Sequence, residues 1–370
     1  MRVGVPKETK AREHRVGLVP ASVRELVQRG HAVWVQASAG AGIGASDADY
    51  EAAGARIVAE AEGLWREAEL VVKVKEPQPA ERAWLSSGQL LFCYLHLAPD
   101  VPQTDDLLRS GASAIAYETV TQPQGGLPLL APMSEVAGRL SVQAGAHCLL
   151  AHQGGRGVLL GGVPGVAPAS VVVLGGGMVG THAVAMALGL GARVTVLDRS
   201  VDALRRLWMQ FGPALQTVYA TQEAVEQACM QADLVIGSVL IPGAAAPKLI
   251  TRDLVRRMRP GAVIVDVAID QGGCSETSQP TTHDAPTYVE EGVVHYAVTN
   301  MPGAVPHTST HALNHATLPY VLRLADQGLA ALREDAHFRA GLNVHAGQVT
   351  HAAVARAQGR VHTEALDALA

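Results

Sequence analysis

The stretch ASVVVLGGGMVGTHAVAMALGLGARVTVLDRS, residues 169–200, constrains the fold more than any other part of the sequence. Val171, Val172 and Val173 are β-branched and run into glycines at 175, 177 and 180, which space as GxGxxG. A small-residue helical pattern follows, then a second apolar run that closes on Asp198. The three glycines serve different physical ends. Gly175 permits a tight turn, Gly177 lets backbone approach a pyrophosphate, and Gly180 lets the helix pack close to its strand. The helix opening at Met178 and Val179 points N–H groups and the positive end of its dipole at that phosphate position. A lone GxGxxG is often only a turn. Here strand, turn, helix, second strand and terminal acid all occur in order, so the segment reads as a dinucleotide site.

Asp198 bears on which dinucleotide. A carboxylate there accepts hydrogen bonds from the ribose hydroxyls of NAD. The 2′-phosphate of NADP would meet a like charge, at a cost of about 4 kcal/mol at contact for an effective dielectric near 20. Arg199, beside the acid, is the one neighbour that could offset that charge. The expected cofactor is NAD. Two later loops should complete the site, Val239–Leu240 and Val267–Asp270, because both follow apolar runs of strand length and ligands in open α/β sheets bind beyond the carboxyl ends of strands.

Strand-length apolar runs alternate with helical patterns through most of the 370 residues, which argues for parallel sheets built from βαβ units and for two domains. The first series is expected at Arg2–Val5, Ala32–Val35, Leu70–Val74, Gln89–Leu95 and Ala112–Ala116. The second is expected at Ser170–Leu174, Arg193–Leu197, Thr217–Tyr219, Leu234–Ile236, Ala262–Val265 and Val294–Ala297. A helix from Pro132 to Leu150 should join them. After about Thr308 the sequence reads as helical, with no further strand series, and could return to the first domain. Residues 1–128 and 307–370 should therefore form a discontinuous domain around an inserted one at 129–306.

Composition excludes several classes. Hydrophobic residues make up 48% and charged residues 17%, which suits a well-buried globular chain. The net charge is −5 with both signs interspersed, so no basic stripe offers a nucleic-acid footprint. No run approaches the roughly 20 consecutive apolar residues that span a bilayer. Cys93, Cys148, Cys229 and Cys274 form no CxxC and no zinc-like spacing with histidine, so free thiols in a reducing cytoplasm are expected.

Four polar residues stand at points where chemistry could gather. Arg15 precedes a helix start, Lys75 ends VVKVK, His96 ends LLFCYLH and Asp270 ends VIVDVAID. Singly, each has an ordinary reading: a surface arginine, a solvated lysine sharing a face with Lys73, a core histidine, a turn-capping aspartate. Together, facing a dinucleotide site, they compose a pocket for a small anion.

At this point the strings MRVGVPKE, VVKVKEP, YLHLAPD, IAYETV, LLAPMSEVAGRL, GGRGVLLGGVPGVAPASVVVLGGG, LIPGAAAPKLITRDLV, VDVAIDQGGCSETSQPTTHDAPTY and VVHYAVTNMPGAVPHTST resemble the L-alanine dehydrogenase family over essentially the whole chain. The resemblance implies an α/β fold of two Rossmann-like domains, the NAD domain inserted into the discontinuous substrate domain. It implies reversible oxidative deamination of L-alanine to pyruvate and ammonia with NAD, in a homo-oligomer that is a hexamer. In that likeness Arg15 and Lys75 bind the substrate, and His96 and Asp270 are catalytic. Cofactor contacts fall on Ser134, Gly175, Gly177, Met178, Val179, Gly180, Asp198, Val239, Leu240, Val267, Ala268, Ile269, Asp270, Val298, Thr299, Asn300 and Met301. Ala203, Gln279 and His307 depart from the pattern, which puts cofactor affinity in question at the first two. Glu118 is retained from a magnesium site proposed in some members, but Gln327 replaces its histidine, so no metal is expected. The alternative is the NAD-binding component of a proton-translocating transhydrogenase, which the absence of a membrane span and the joint presence of Arg15, Lys75, His96 and Asp270 disfavour.

Overall fold

The computed structural model describes residues 1–239 and 246–369. The chain divides into two compact units, Met1–Met133 with Val305–Ala370, and Ser134–Ala304. The second is thus inserted into the first, and both are α/β.

In chain order the strands are β1 (Arg2–Val5), β2 (Ala32–Gln36), β3 (Arg56–Val58), β4 (Leu70–Val72), β5 (Leu90–Cys93) and β6 (Ser113–Ala116). The inserted unit holds β7 (Ser170–Leu174), β8 (Arg193–Asp198), β9 (Leu215–Tyr219), β10 (Leu234–Gly237), β11 (Val263–Asp266), β12 (Thr287–Glu290) and β13 (Val293–Tyr296). Beyond it come β14 (Leu342–His345) and β15 (Gln348–Val349).

The first sheet runs β15-β14-β6-β5-β4-β1-β2-β3 and the second β12-β13-β11-β10-β7-β8-β9. Within each, six parallel strands take the order 3-2-1-4-5-6, the doubly wound arrangement in which the connections reverse direction between the first and fourth strands. That reversal opens a crevice at the carboxyl ends of β1 and β4 in one unit, and of β7 and β10 in the other. The central strands are buried on both faces, as β-branched runs such as Val171–Val173 and Val263–Val265 require.

Four strands lie where the sequence pattern predicts none. β3 is three residues long and its side chains are only partly covered, so it carries little periodic signal. β12 pairs antiparallel with β13 across Glu291-Gly292, and β14 with β15 across Ala346-Gly347. All four turn residues have positive φ, the geometry of a two-residue hairpin. The expectation of a purely helical tail is therefore corrected: after the helix Pro306–Gln327, β14 adds antiparallel to the edge of β6. Pairing with a preformed edge stabilises strands too short to declare themselves. The predicted joining helix is present as Ala131–Cys148. The four cysteines are free and buried, and burial pushes the Cys148 thiol up to about 11 and that of Cys229 to about 12.

Candidate active site

In the first unit, Glu8 follows β1, Lys73 and Lys75 follow β4, His96 follows β5 and Glu118 follows β6. Adjacent parallel strands thereby deliver their polar residues to one edge. Lys73 is fully buried, 2.9 Å from Glu81 and 3.1 Å from Glu8. Burial opposes its charge, but the two carboxylates hold the ammonium above its ordinary range. Glu8 also accepts the amide of Val74 at 2.7 Å and that of Lys75 at 3.3 Å, so it fixes the backbone from which Lys75 projects. Lys73 and Lys75 therefore do not share an environment. Lys73 is a structural ion, whereas Lys75 has no carboxylate partner among the described residues, and burial followed by the nearby Arg15 charge lowers its pKa.

Arg15 is not a surface charge: it is 2% exposed. Its Nε and Nη2 donate to the two oxygens of Glu13 at 2.7 and 2.6 Å, and Nη1 reaches the Met133 sulfur at 3.0 Å. This bidentate pairing fixes the plane of the guanidinium. The helix Pro306–Gln327 secures the same loop: Asn314 accepts from Val19 and donates to Gly17, while Thr310 accepts from Val16.

His96 is half exposed and has φ +51°, a left-handed conformation costly for a side-chain-bearing residue. Glu118 enforces it, accepting the amides of Leu95 and His96. The imidazole stacks on Tyr94 with centroids 5.8 Å apart, and the Tyr94 hydroxyl is tied to the Leu129 carbonyl at 2.6 Å. Of the acids here, sequence reasoning missed the roles of Glu8 and Glu13 altogether and gave Glu118 only a metal context. An acid's pairing partner across the fold leaves no periodic signal.

In the second unit the expected cofactor positions follow five neighbouring parallel strands: the turn 175–180 after β7, Asp198 at the end of β8, Val239 after β10, Val267–Asp270 after β11, and Val298–Met301 after β13. Gly175 has φ +105°. A Cβ at Gly180 would lie 1.9 Å from the Gly175 carbonyl oxygen, so helix and turn touch there. Among the described residues, a Cβ at Gly177 would meet no atom within 4 Å. None of them demands glycine at 177, which is what a position kept clear for a ligand looks like. The helix Met178–Gly189 has no side-chain cap at its N-terminus, leaving its first N–H groups for an anion. Asp198 accepts the Gly176 amide at 2.6 Å and the Ser200 amide at 2.7 Å, which aims its carboxylate along the turn. These features fit NAD.

The remaining positions sort by burial. Ser134 is half-buried on the helix Ala131–Cys148, whose Gly138 packs against the Val179 carbonyl. Met178 is exposed and Val179, Val239 and Val267 are half-buried, whereas Ala268, Ile269, Val298 and Met301 are buried and could meet a ligand chiefly through backbone. Thr299 is half-buried, and Asn300 adopts φ +59°. Leu240 lies outside the described residues. Asp270 is exposed on the 3-10 turn Val267–Gln271 and does not cap it. The capping residue is Asp266, 1% exposed, which accepts from the amides of Ala268 and Cys274 and from the Ser278 hydroxyl. Buried Asp266 thus spares Asp270 for other work.

Two doubly wound units, one with a glycine turn and a ribose-type acid, the other with a strand-end cluster of cations and a braced histidine, define a dinucleotide-dependent oxidoreductase. The chain belongs to the alanine dehydrogenase/PNT family: the N-terminal domain model matches residues 4–137 and the C-terminal domain model residues 141–352. It is 62% identical to an alanine dehydrogenase of Halomonas elongata over 99% of both chains. Its fold superposes on a solved L-alanine dehydrogenase with a TM-score of 0.95 and 55% identity, covering 97% of this chain and 99% of that one. A transhydrogenase from Sinorhizobium meliloti, 24% identical over 94% of this chain and 100% of its own, shares the fold with a TM-score of 0.83. The transhydrogenase likeness is thus the more distant.

Proposed function

We propose that this chain interconverts L-alanine, NAD and water with pyruvate, ammonium, NADH and a proton, the first unit taking the amino acid and the second the dinucleotide. The observation that carries the substrate half is Lys75: a largely buried cation with no carboxylate partner among the described residues, beside an arginine already locked in plane by Glu13. Such a cation invites a small carboxylate as its counterion.

Bound NAD supplies the hydride acceptor. Lys75 and Arg15 hold the substrate carboxylate, and Lys75 stabilises negative charge on the carbonyl oxygen as pyruvate forms. His96 points Nδ1 towards Glu118, which leaves its Nε2 edge to take and return the protons of amine and water. Asp270 orients the water that hydrolyses the imine. On the cofactor side, the Gly177–Val179 amides bind the pyrophosphate and Asp198 the ribose; Ser134, Val239, Leu240, Val267–Ile269 and Val298–Met301 line the rest.

A homo-hexamer in the cytoplasm accompanies this reading. The exposed Leu159, Val163 and Val166 offer an apolar patch for subunit contact, and sedimentation tests it. No helix among the described residues is long and apolar enough to cross a membrane. The decisive assay follows absorbance of NADH, produced with L-alanine and consumed with pyruvate plus ammonium. Turnover in both directions is expected, and silence in both overturns the reading.

A further inference from the structure

The helix Pro306–Gln327 opens PHTSTHALNHATLPYV, with histidines at 307, 311 and 315. A spacing of four residues puts all three on one stripe of a helix with 3.6 residues per turn. The opposite face is buried through Ser309, Thr310, Leu313, Asn314 and Thr317, so the stripe looks outward. His307 and His315 are exposed and His311 is half-buried. The rings of His307 and His311 have centroids 4.7 Å apart, while His311 and His315 stand 6.4 Å apart. None of the three makes a hydrogen bond or ion pair among the described residues, so their ring nitrogens are unengaged.

We propose that His307 and His311 form a binding site for a borderline-soft divalent cation, of the class of Ni2+, Cu2+ or Zn2+. Imidazole suits these ions, and two histidines four residues apart on a helix are the spacing by which helical zinc sites take their metal. With ring centroids 4.7 Å apart, the two imidazoles are close enough for one ion to take a nitrogen from each at metal–nitrogen bonds of about 2.0–2.1 Å. The positive end of the helix dipole at His307 opposes a cation, but only weakly beside two coordinate bonds. No group of three histidine, cysteine or acidic side chains suited to a metal occurs among the described residues, so water completes the shell and the ion exchanges freely. The site is independent of the alanine dehydrogenase reading. It lies on the face of the helix away from Thr310 and Asn314, which hold the Arg15 loop.

Isothermal titration of the untagged chain with Ni2+ tests this, with Cu2+ electron paramagnetic resonance reporting the nitrogen count. One saturable ion per chain and coupling to two imidazole nitrogens are expected. H307A and H311A should each weaken binding at least about tenfold, because losing a ligand costs no less than losing a group that orients one. H315A and H147A should leave affinity near that of the parent. Absence of saturable binding below millimolar Ni2+ overturns the proposal, as does binding that survives H311A. Loss of binding in H315A with retention in H307A also overturns the assigned pair. A melting temperature for each variant confirms that it is folded.

Discussion

The carboxylate of Glu118 accepts the amide of His96 at 2.6 Å and stands 3.9 Å from the Nδ1 of the same residue. One side chain thus holds the strained backbone of the histidine and places a carboxylate beside its ring. Glu118→Ala should lower stability by about 1.5–3 kcal/mol through the lost charged hydrogen bonds. It should also lower turnover about 100-fold through misplacement of the ring. Glu118→Gln keeps an acceptor and should recover most of the stability. Turnover with L-alanine and melting temperatures check both, and parent-level turnover in Glu118→Ala would remove Glu118 from the site.

Gly177 and Gly180 should separate ligand binding from folding. Gly177→Ala adds a methyl group to open space, so its melting temperature should match the parent while NADH affinity falls about tenfold or more. Gly180→Ala forces a methyl group into the Gly175 carbonyl oxygen and should destabilise the second unit by about 1–3 kcal/mol. NADH fluorescence titration and thermal melts distinguish the two. Equal melting temperatures for both variants would refute the assignment.

Lys75 should show a conflict between stability and activity. Its folded pKa lies below the ordinary lysine value of 10.5. Between the folded value and 10.5 the unfolded chain binds more protons, so this residue makes stability rise with pH across that window. Below the window its buried charge is a constant burden. Lys75→Met should therefore raise the melting temperature at pH 7 while cutting kcat/KM for pyruvate about 100–1000-fold. A lower melting temperature would mean that Lys75 is compensated by the fold.

Asp198→Ala removes the acceptor of the Gly176 and Ser200 amides together with the charge facing a 2′-phosphate. NAD affinity should fall and NADP should become a usable cofactor. Steady-state kinetics with both dinucleotides measure the ratio, and an unchanged preference for NAD would place the selecting group elsewhere.

The second unit was the more legible in the sequence because its elements are local. The glycine turn, its helix and Asp198 lie within one continuous stretch and obey rules of spacing. Arg15, Lys75 and His96 could be singled out as polar residues in apolar settings, but their partners could not. Glu13 sits two residues from Arg15, yet nothing in REHR tells a bidentate pair from two solvated charges. Asp266 and Asp270 look alike in VIVDVAID, and only packing separates the buried hub from the exposed acid. β14 and β15 escaped notice because an edge presented by β6, more than 200 residues earlier, holds them in place.

That late edge pairing sets an order of events during synthesis. The inserted unit has all its strands once Tyr296 has left the ribosome, whereas the sheet begun at Arg2 waits for Val349. At about 5–20 residues per second the interior unit gains a lead of a few seconds. During that time Ile115 on β6 lacks its β14 partner, and the half of the enzyme translated first is the half that finishes last.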